Sequence, residues 1–372
     1  MKNIYKIFLL LILIVCKSTL YGQSDFDSLY NDALIYVYDD PDKALEIGKD
    51  LYEKNLDEPE RLINILMLTS NAHFSKIDYE KSLEDALKAN ELASKINDPA
   101  MHLMVLIKTA DRYHQLGVND KSLEILDESD LLYETIKDKE SVKFIMGGNY
   151  AIRGFIYRDQ LSCDIAIGYL NKAYNAFLST DSKKRMELNN SIIAYNKGNC
   201  FITLNQLDSA KINFENSKRL AISQKANSLQ AFSMKGLAEV YMLQMRYEDA
   251  ISELNRADSI SASVGDLELN SGIYRGLSDN YLALKDWDNF RKYENKNRQT
   301  IQQIKESERK TINNILKDYK TEIESNEKSS GNKFILLIFI LSIVLFGFVF
   351  SIVRSEISFK KDFDKIISQI KS

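Results

Sequence analysis

The sequence predicts an all-α protein: a solenoid of about six to seven helix pairs, then a long helical stalk and a single transmembrane helix. Three observations support this prediction. Glycine and proline are scarce, with 14 and 3 among 372 residues, which argues against a fold built on many tight turns. A short phrase recurs seven times, about 40 residues apart. A run of 20 residues without a charge stands near the C-terminus.

Composition narrows the classes of function. The chain is 45% hydrophobic and 27% charged, which is typical of a folding sequence and excludes a wholly disordered one. Its net charge is −4, so it lacks the basic excess that holds nucleic acid by its phosphates. Three cysteines and three histidines exclude a disulfide scaffold and leave few metal ligands. We therefore expect no nucleic-acid partner, no metal and no cofactor.

Residues 1–22 have the features of a signal peptide. Lys2 and Lys6 precede an apolar stretch from Ile7 to Val15, and Gly22 is a small residue before a potential cleavage site. Cleavage after Gly22 would release an exported chain. Two alternatives remain open: lipidation at Cys16 and a leader that is retained as an anchor.

Residues 333–353 are predicted to form the transmembrane helix. Phe334 to Val353 carry no charge, and 20 residues at a rise of about 1.5 Å each span the roughly 30 Å of a hydrocarbon core. The tail, residues 354–372, carries five basic residues: Arg354, Lys360, Lys361, Lys365 and Lys371. The positive-inside rule therefore predicts a cytoplasmic C-terminus, with the repeats on the periplasmic side of an inner membrane.

The recurring phrase consists of an aromatic or apolar residue, an acid, any residue and usually a small residue. Its fourth residue falls at positions 44, 82, 122, 166, 210, 250 and 290, and its second residue is Asp or Glu in all seven copies. A carboxylate is favourable at the start of a helix, because the free backbone N–H groups and the positive end of the helix dipole are there. Each phrase is thus predicted to begin a helix, and Pro41, Pro59 and Pro99 to open helices as well.

An apolar helical stretch precedes each phrase, so each unit is predicted to be a helix, a short turn and a second helix. An aromatic residue stands nine positions before the fourth residue of most copies: Tyr113, Tyr157, Phe201, Tyr241 and Tyr281. His73 holds this place in the second unit, which favours a role in helix packing over metal binding. A small residue stands three positions earlier still: Ala110, Gly154, Gly198, Ala238 and Ser278.

These spacings resemble the tetratricopeptide repeat (TPR). The fourth unit shows the family pattern in Tyr150, Gly154, Tyr157, Ala166, Leu170 and Ala173. The period of about 40 exceeds the usual 34, and most units lack the terminal proline. The resemblance covers about residues 25–297, within a predicted solenoid domain 23–297, and it implies a concave surface for a partner.

In this family, residues of the first helix near the small position line the groove. The resemblance therefore implies a partner-binding surface at Asn71, Asp111, His114, Phe155, Arg158, Tyr195, Asn199, Lys235, Glu239, Arg275 and Asp279. Amides, cations and aromatic rings in one channel suit an extended peptide or a protein segment. The alternative is that these residues form only the solvated face of the solenoid.

Catalysis is not expected, because the sequence contains no phosphate-binding loop, no G-x-S-x-G and no H-E-x-x-H. Cys163 and Cys200 belong to different repeats, the former near a turn and the latter in a helix. A disulfide between them remains an open alternative in an oxidising compartment.

Residues 298–332 are predicted to form the helical stalk. Ile301, Ile312 and Ile323 are 11 positions apart, which places them in one nearly straight stripe. Such a stripe is typical of self-association, here as a homodimer. The alternative is that it packs along the last repeat.

The order of these segments resembles the exported sensor part of membrane-bound regulators of Bacteroidetes-type bacteria. That resemblance implies a protein or peptide ligand and signalling across the membrane. In contrast to those regulators, no DNA-binding or kinase domain follows in this sequence, so we expect the output to be missing or to come from another protein. The alternative function is a non-signalling, membrane-tethered scaffold for envelope protein assembly.

Overall fold

The computed structural model describes residues 26–37, 40–160, 162–261, 266–306 and 309. All of them belong to Met1–Thr311, the first of two units into which the chain divides. The predicted signal peptide, transmembrane helix and tail lie outside the described residues. Among the helices in the described ranges, none has the length together with the apolar character that a membrane crossing needs.

Within these ranges every regular element is an α-helix, and there are fourteen of them. The first, α1, covers residues 26–37, and the last, α14, covers 287–306. Between them lie α2 (Pro41–Lys54), α3 (Pro59–Ser75), α4 (Tyr79–Ala93), α5 (Pro99–Gln115), α6 (Asn119–Thr135), α7 (Lys139–Asp159), α8 (Cys163–Phe177), α9 (Lys183–Thr203), α10 (Leu207–Ser223), α11 (Asn227–Leu243), α12 (Tyr247–Ser261) and α13 (Leu267–Ala283).

The recurring phrase begins a helix in all seven copies, as predicted. Five of these helices, α4, α6, α8, α10 and α12, start at the first residue of the phrase, as do α2 and α14. The three prolines open α2, α3 and α5. Asp98 caps α5, because its carboxylate accepts the backbone N–H groups of Ala100 and Met101 at 3.0 and 2.9 Å.

One turn geometry recurs between the two helices of a pair. A residue with positive φ stands two positions before the second helix in five described pairs: Ile77 (63°), Gly117 (74°), Asn205 (55°), Met245 (60°) and Lys285 (60°). The next N–H then bonds back to the end of the first helix, as from Asp78 to the His73 carbonyl at 2.9 Å. Glycine and asparagine suit this conformation, but the β-branched Ile77 does not. The turn therefore follows from the packing of the repeat and not from local sequence alone.

The small residues of the phrase lie where the two helices of a pair are closest. Six of them are at most 1% exposed: Ala44, Ser82, Ser122, Ala166, Ala210 and Ala250. The hydroxyl of Ser70 on α3 donates to the Ser82 carbonyl on α4 at 2.7 Å, and that of Ser122 on α6 donates to the Ala110 carbonyl on α5 at 2.8 Å. Side chains of this size are needed because the two backbones are so close that a serine side chain on one helix reaches a backbone carbonyl on the other.

Two glycines leave the space that the ring of Phe214, a large core residue, occupies in the middle of the solenoid. Phe214 on α10 is fully buried, and its ring lies between α9 and α11. A Cβ atom at Gly198 would stand 2.5 Å from the Phe214 ring, and one at Gly236 would stand 2.4 Å from it. Both distances are shorter than a van der Waals contact, so these two helices can enclose the ring only because they carry glycine there.

The first helices of successive pairs form a continuous row. Helices α5, α7, α9, α11 and α13 each contact the next in this series, whereas α4, α6, α8, α10 and α12 make their extensive contacts with first helices only. The closer spacing of the first helices places them on the concave side of the curved array. Ten of the eleven predicted binding residues belong to these five helices, and Asn71 belongs to α3, the first helix of the second pair.

Candidate functional site

The eleven predicted binding residues reach the surface of the first helices. None is fully buried, and Arg275 and Asp279 are exposed. The structure brings six of them into two cavities: His114 and Arg158 in one, and Lys235, Glu239, Arg275 and Asp279 in the other. Phe155 and Tyr195 contact members of these groups. Asn199 lies between them, half-buried on α9.

The larger cavity has a volume of about 570 Å³ and lies between two parts of the solenoid that are distant in sequence. One wall consists of the C-terminal ends of α3, α5 and α7, with Phe74, His114 and Arg158. The opposite wall consists of the N-terminal ends of α11 and α13, with Phe232 and Asp266. The curvature of the repeats thus brings the second to fourth units opposite the sixth and seventh.

His114 and Arg158 form a polar cluster with the neighbouring acid. The Arg158 Nε donates to the Asp159 carboxylate at 2.8 Å, and its Nη1 donates to the Asn196 side-chain oxygen on α9. The His114 Nε2 lies 3.7 Å from the Asp159 carboxylate, and its Nδ1 lies 3.1 Å from the Asn119 side-chain oxygen. The guanidinium is therefore held in place at the cavity wall before any ligand arrives.

Asn71 and Asp111 take part in an internal network around Arg112. The Arg112 Nη2 donates to the Asn71 oxygen at 2.8 Å, and the guanidinium lies 4.7 Å from the centre of the Phe74 ring. Asp111 lies 3.6 Å from the same nitrogen and accepts a hydrogen bond from Gln115 at 3.3 Å. Arg112 is 5% exposed, and its Nε and Nη1 have no hydrogen-bond partner among the described residues. The network fixes Phe74, which lines the large cavity.

The second cavity, of about 60 Å³, lies between α11 and α13 beside Lys235. The Lys235 ammonium lies 5.6 Å from the centre of the Tyr195 ring and 5.7 Å from that of Phe232. Burial opposes its charge, but Tyr195 and Glu239 outweigh burial, so the pKa of Lys235 lies above its usual value. Lys235 is therefore a fixed positive charge on an aromatic surface.

Gly272 on α13 makes room for Lys235. A Cβ atom at Gly272 would stand 2.8 Å from the Lys235 Cδ, so a larger residue would displace the lysine side chain. Lys235 also stabilises the charged form of Asp266 on the wall of the larger cavity, where burial raises the pKa of the aspartate. Asp266 in turn caps α13, accepting the Leu269 N–H at 2.9 Å. The two cavities are thus electrostatically linked parts of one concave surface.

Three residues of this surface were not found from the sequence: Arg112, Phe232 and Asp266. Phe232 stands one helical turn before Lys235, so extending the predicted column by one turn would have found it. Arg112 follows Asp111 directly and would have required knowledge of which face α5 turns toward α3. Asp266 comes from the turn before α13, and its approach to the ends of α3 and α5 depends on the curvature of the whole array.

The concave surface offers both charged groups and apolar surface for contact with a ligand. Phe74 and Phe232 provide aromatic surface, Arg158 and Lys235 provide cations, and Asp266 provides a carboxylate. Within the described ranges, no group of three histidine, cysteine or acidic residues could hold a metal ion. The groups along this groove therefore offer charged and aromatic contacts to a ligand.

No protein-family model matches the chain, and no curated protein matches it. Among solved structures, the anaphase-promoting complex (APC/C) hetero-tetramer Cut9–Hcn1 is 13% identical with a TM-score of 0.51, and the match covers 76% of this chain and 48% of that one. A signal transduction ATPase with a tetratricopeptide repeat sensor, from Pyrococcus horikoshii, is 17% identical with a TM-score of 0.46 and coverages of 67% and 39%. A Rap protein complexed with competence and sporulation factor is 11% identical with a TM-score of 0.46 and coverages of 76% and 99%.

Identities this low show the fold alone. The described residues form a TPR-like array of helix pairs, in agreement with the prediction from the repeat spacing. These similarities concern the fold and do not bear on the predicted sensor relationship, the membrane span or the location of the protein.

Proposed function

We propose that this chain is an exported, membrane-anchored TPR-like protein whose concave face binds a protein or peptide partner. In this proposal it is the sensing part of a transmembrane signalling or transcription-regulating system, with periplasmic repeats and a cytoplasmic C-terminus. The observation that supports binding is the cavity of about 570 Å³ between the ends of α3, α5 and α7 and the starts of α11 and α13.

The size and lining of this cavity favour a peptide segment as the ligand. Its volume lies within the range of roughly 300–1,000 Å³ that is usual for ligand sites. Phe74 and Phe232 on opposite walls suit an apolar side chain, while Arg158 and Lys235 suit a carboxylate or a backbone carbonyl. An extended peptide offers all of these groups at once and continues along the row of first helices.

Export and signalling are supported by the sequence at the two ends. The leader 1–22 and the basic tail 354–372 agree on one orientation, with the repeats outside the cytoplasm. The distance between the two walls of the cavity would differ between two conformations of the repeats. A ligand that contacts both walls would favour one conformation, by as much as it binds that conformation more tightly than the other. The predicted stalk and span would carry such a shift to a cytoplasmic partner.

Site-specific photo-crosslinking in cells tests the binding surface. A photoreactive phenylalanine analogue at Phe232, in the full chain, should give a discrete cross-linked product. The same analogue at Tyr174, an exposed residue of α8, is the matched control and should give none. Lys235→Ala combined with Asn199→Ala should abolish the product at 232, because both residues belong to the proposed groove.

Equal products at 232 and 174, or products that persist in the double variant, would contradict a specific groove. The identity of the cross-linked partner distinguishes the proposed sensor from the alternative role, a membrane-tethered scaffold for envelope protein assembly. A ligand whose addition changes cytoplasmic output supports the sensor, whereas a constitutive envelope-assembly component supports the scaffold.

A further inference from the structure

Two cysteines that are distant in sequence lie side by side between the fourth and fifth repeats. Cys163 begins α8 and Cys200 lies in α9, and they are 2% and 0% exposed. Both belong to one buried cluster with Ala166, surrounded by Tyr157, Ile167 and Leu204. Burial first, and then the Cys163 side chain, raise the pKa of the Cys200 thiol. Although the residues are 37 positions apart in sequence, their side chains therefore pack together in this cluster.

The position of this pair within the repeat explains the contact. Cys163 is the first residue of a second helix, and Cys200 lies on the following first helix. One repeat later, the corresponding residues are Leu207 and Val240, which pack in one apolar cluster with Ala210 and Phe214. Between repeats five and six this contact is thus filled by two apolar side chains. Between repeats four and five, two thiols take their place.

We propose that Cys163 and Cys200 are a disulfide-forming pair, which closes a bridge between α8 and α9 when the exported chain meets a dithiol oxidant. The setting of this inference rests on the proposed export of the chain, because disulfides persist in oxidising compartments. The pairing itself rests on the geometry of the two buried thiols.

The reaction needs an oxidant of the protein-disulfide class, as found outside the cytoplasm. In the folded chain burial raises the pKa of the Cys200 thiol and disfavours its thiolate, so we expect oxidation while α9 is still unpacked. The Cys163 thiolate attacks the disulfide of the oxidant and forms a mixed disulfide, before α9 has packed over it. The Cys200 sulfur then displaces the oxidant. One S–S bond replaces two S–H bonds, and the oxidant leaves as a dithiol with the two electrons and two protons.

The bridge would stiffen the middle of the concave wall. Tyr157 in the thiol cluster directly precedes Arg158, which lines the large cavity. A covalent link between α8 and α9 restricts the unfolded chain and the sliding of repeat four against repeat five. Reduction of the bridged full chain should lower its thermal midpoint by about 5–10 °C.

Oxidation of the purified full chain in detergent tests the pairing independently of location. Reduced protein is incubated with oxidised glutathione in a mild concentration of denaturant, which opens the packing of α9 and gives the oxidant access to the thiols. Free thiols are then alkylated under denaturing conditions, and the unreduced digest is analysed by mass spectrometry. The expected product is a linked peptide pair containing Cys163 and Cys200. The matched control places Leu207→Cys and Val240→Cys in a chain with Cys163→Ala and Cys200→Ala, and it should also form a bridge.

Absence of the native bridge, while the engineered pair forms one, would overturn the pairing. A second measurement uses cells whose thiols are trapped by acid and alkylation before lysis. A bridge in the exported chain supports the inference in full. A pair that glutathione can link but that is reduced in cells would overturn the proposed oxidising location and not the pairing.

Discussion

The Arg153 guanidinium joins two repeats, at a place where other units have Leu237 or Leu277. Its Nε donates to the Asn149 side-chain oxygen at 3.0 Å, and its Nη2 donates to Asp127 and Asp130 on α6 at 2.7 Å each. Arg153 is 8% exposed, so its charge is largely removed from water. A buried cation is tolerable only when its hydrogen bonds are satisfied, and this one therefore fixes how α7 lies against α6.

Truncation of Arg153 should destabilise the fold, and truncation of its exposed partner should not. Arg153→Ala removes the donor to the oxygen of the fully buried Asn149 and to one oxygen of Asp130, so we expect a loss of about 3 kcal/mol in the free energy of unfolding. The Asp127 side chain is 71% exposed, and Asp127→Ala should cost under about 1 kcal/mol. Denaturant unfolding of the two variants of the full chain measures both values. Equal costs would contradict the assigned role of Arg153.

His73 should make stability depend on pH. Burial lowers the pKa of His73, although Asp85 and Asp78 act in the opposite direction. The unfolded chain then takes up a proton more readily than the folded chain, so the free energy of unfolding falls as the pH drops from about 7 to 5. His73→Phe removes this group and keeps an aromatic ring at a position where other repeats carry one.

Unfolding midpoints at pH 7.5 and 5.5 check this expectation. Their difference should be smaller in His73→Phe than in the unmodified chain. Tyr113→Phe alters the same position of the next repeat without a group that titrates in this range, and it should retain the full difference. An unchanged pH dependence in His73→Phe would assign the effect to other groups.

The boundaries of the helices follow closely from local chemistry. Acids in the phrase, the three prolines and caps such as Asp98 are all visible in the sequence, and they predicted where helices begin. The turns were less predictable, because Ile77, Met245 and Lys285 adopt positive φ without being residues that favour it. At these turns tertiary packing overrides the backbone preference of the residue, and the sequence contains no signal from which the positive φ could be predicted.

Gly236 should respond against its helix propensity. Replacing glycine by alanine inside a helix usually stabilises it by about 1 kcal/mol. At Gly236 on α11, however, a Cβ would stand 2.4 Å from the buried Phe214 ring. We expect Gly236→Ala to lower the free energy of unfolding by about 2 kcal/mol, because an overpacked core must shift.

Gly168 on α8 is the matched control. It is exposed, and a Cβ there would have no atom within 4 Å. Gly168→Ala should therefore follow helix propensity and stabilise the chain by up to about 1 kcal/mol. Both variants are compared by denaturant unfolding of the full chain. If Gly236→Ala were as stabilising as Gly168→Ala, Phe214 would not be enclosed as the structure has it.

The concave surface depends on the assembly of all repeats together. The sequence predicted which column of each first helix lies on the inner wall, because the TPR-like spacing fixes the orientation of each pair. It did not predict that the ends of α3, α5 and α7 lie opposite the starts of α11 and α13. That arrangement results from small rotations between neighbouring repeats, which accumulate along the array. Lys235 and Arg158 could therefore be predicted as groove residues, but the cavity they border could not.

The last helix leads from this array into the predicted stalk. Ile301 and Ile304 are half-buried at the end of α14, while residues 302, 303, 305 and 306 are exposed. The other two isoleucines of the predicted stripe are Ile312 and Ile323, and they lie outside the described residues. An 11-residue period keeps such a stripe on one side of a helix, where a second copy of the chain can pack against it.

Cysteine cross-linking in membranes tests whether the stripe joins two chains. Ile301→Cys, Ile312→Cys and Ile323→Cys, each in a full chain with Cys163→Ala and Cys200→Ala, should form dimers on mild oxidation. Glu306→Cys and Lys317→Cys lie off the stripe and should not. On the same chains, a reporter fused to the C-terminus tests the orientation and should be active only in the cytoplasm.

For the cross-linking itself, uniform products at all five positions, or none, would mean that the isoleucines pack on their own solenoid. The membrane span would then act only as a tether.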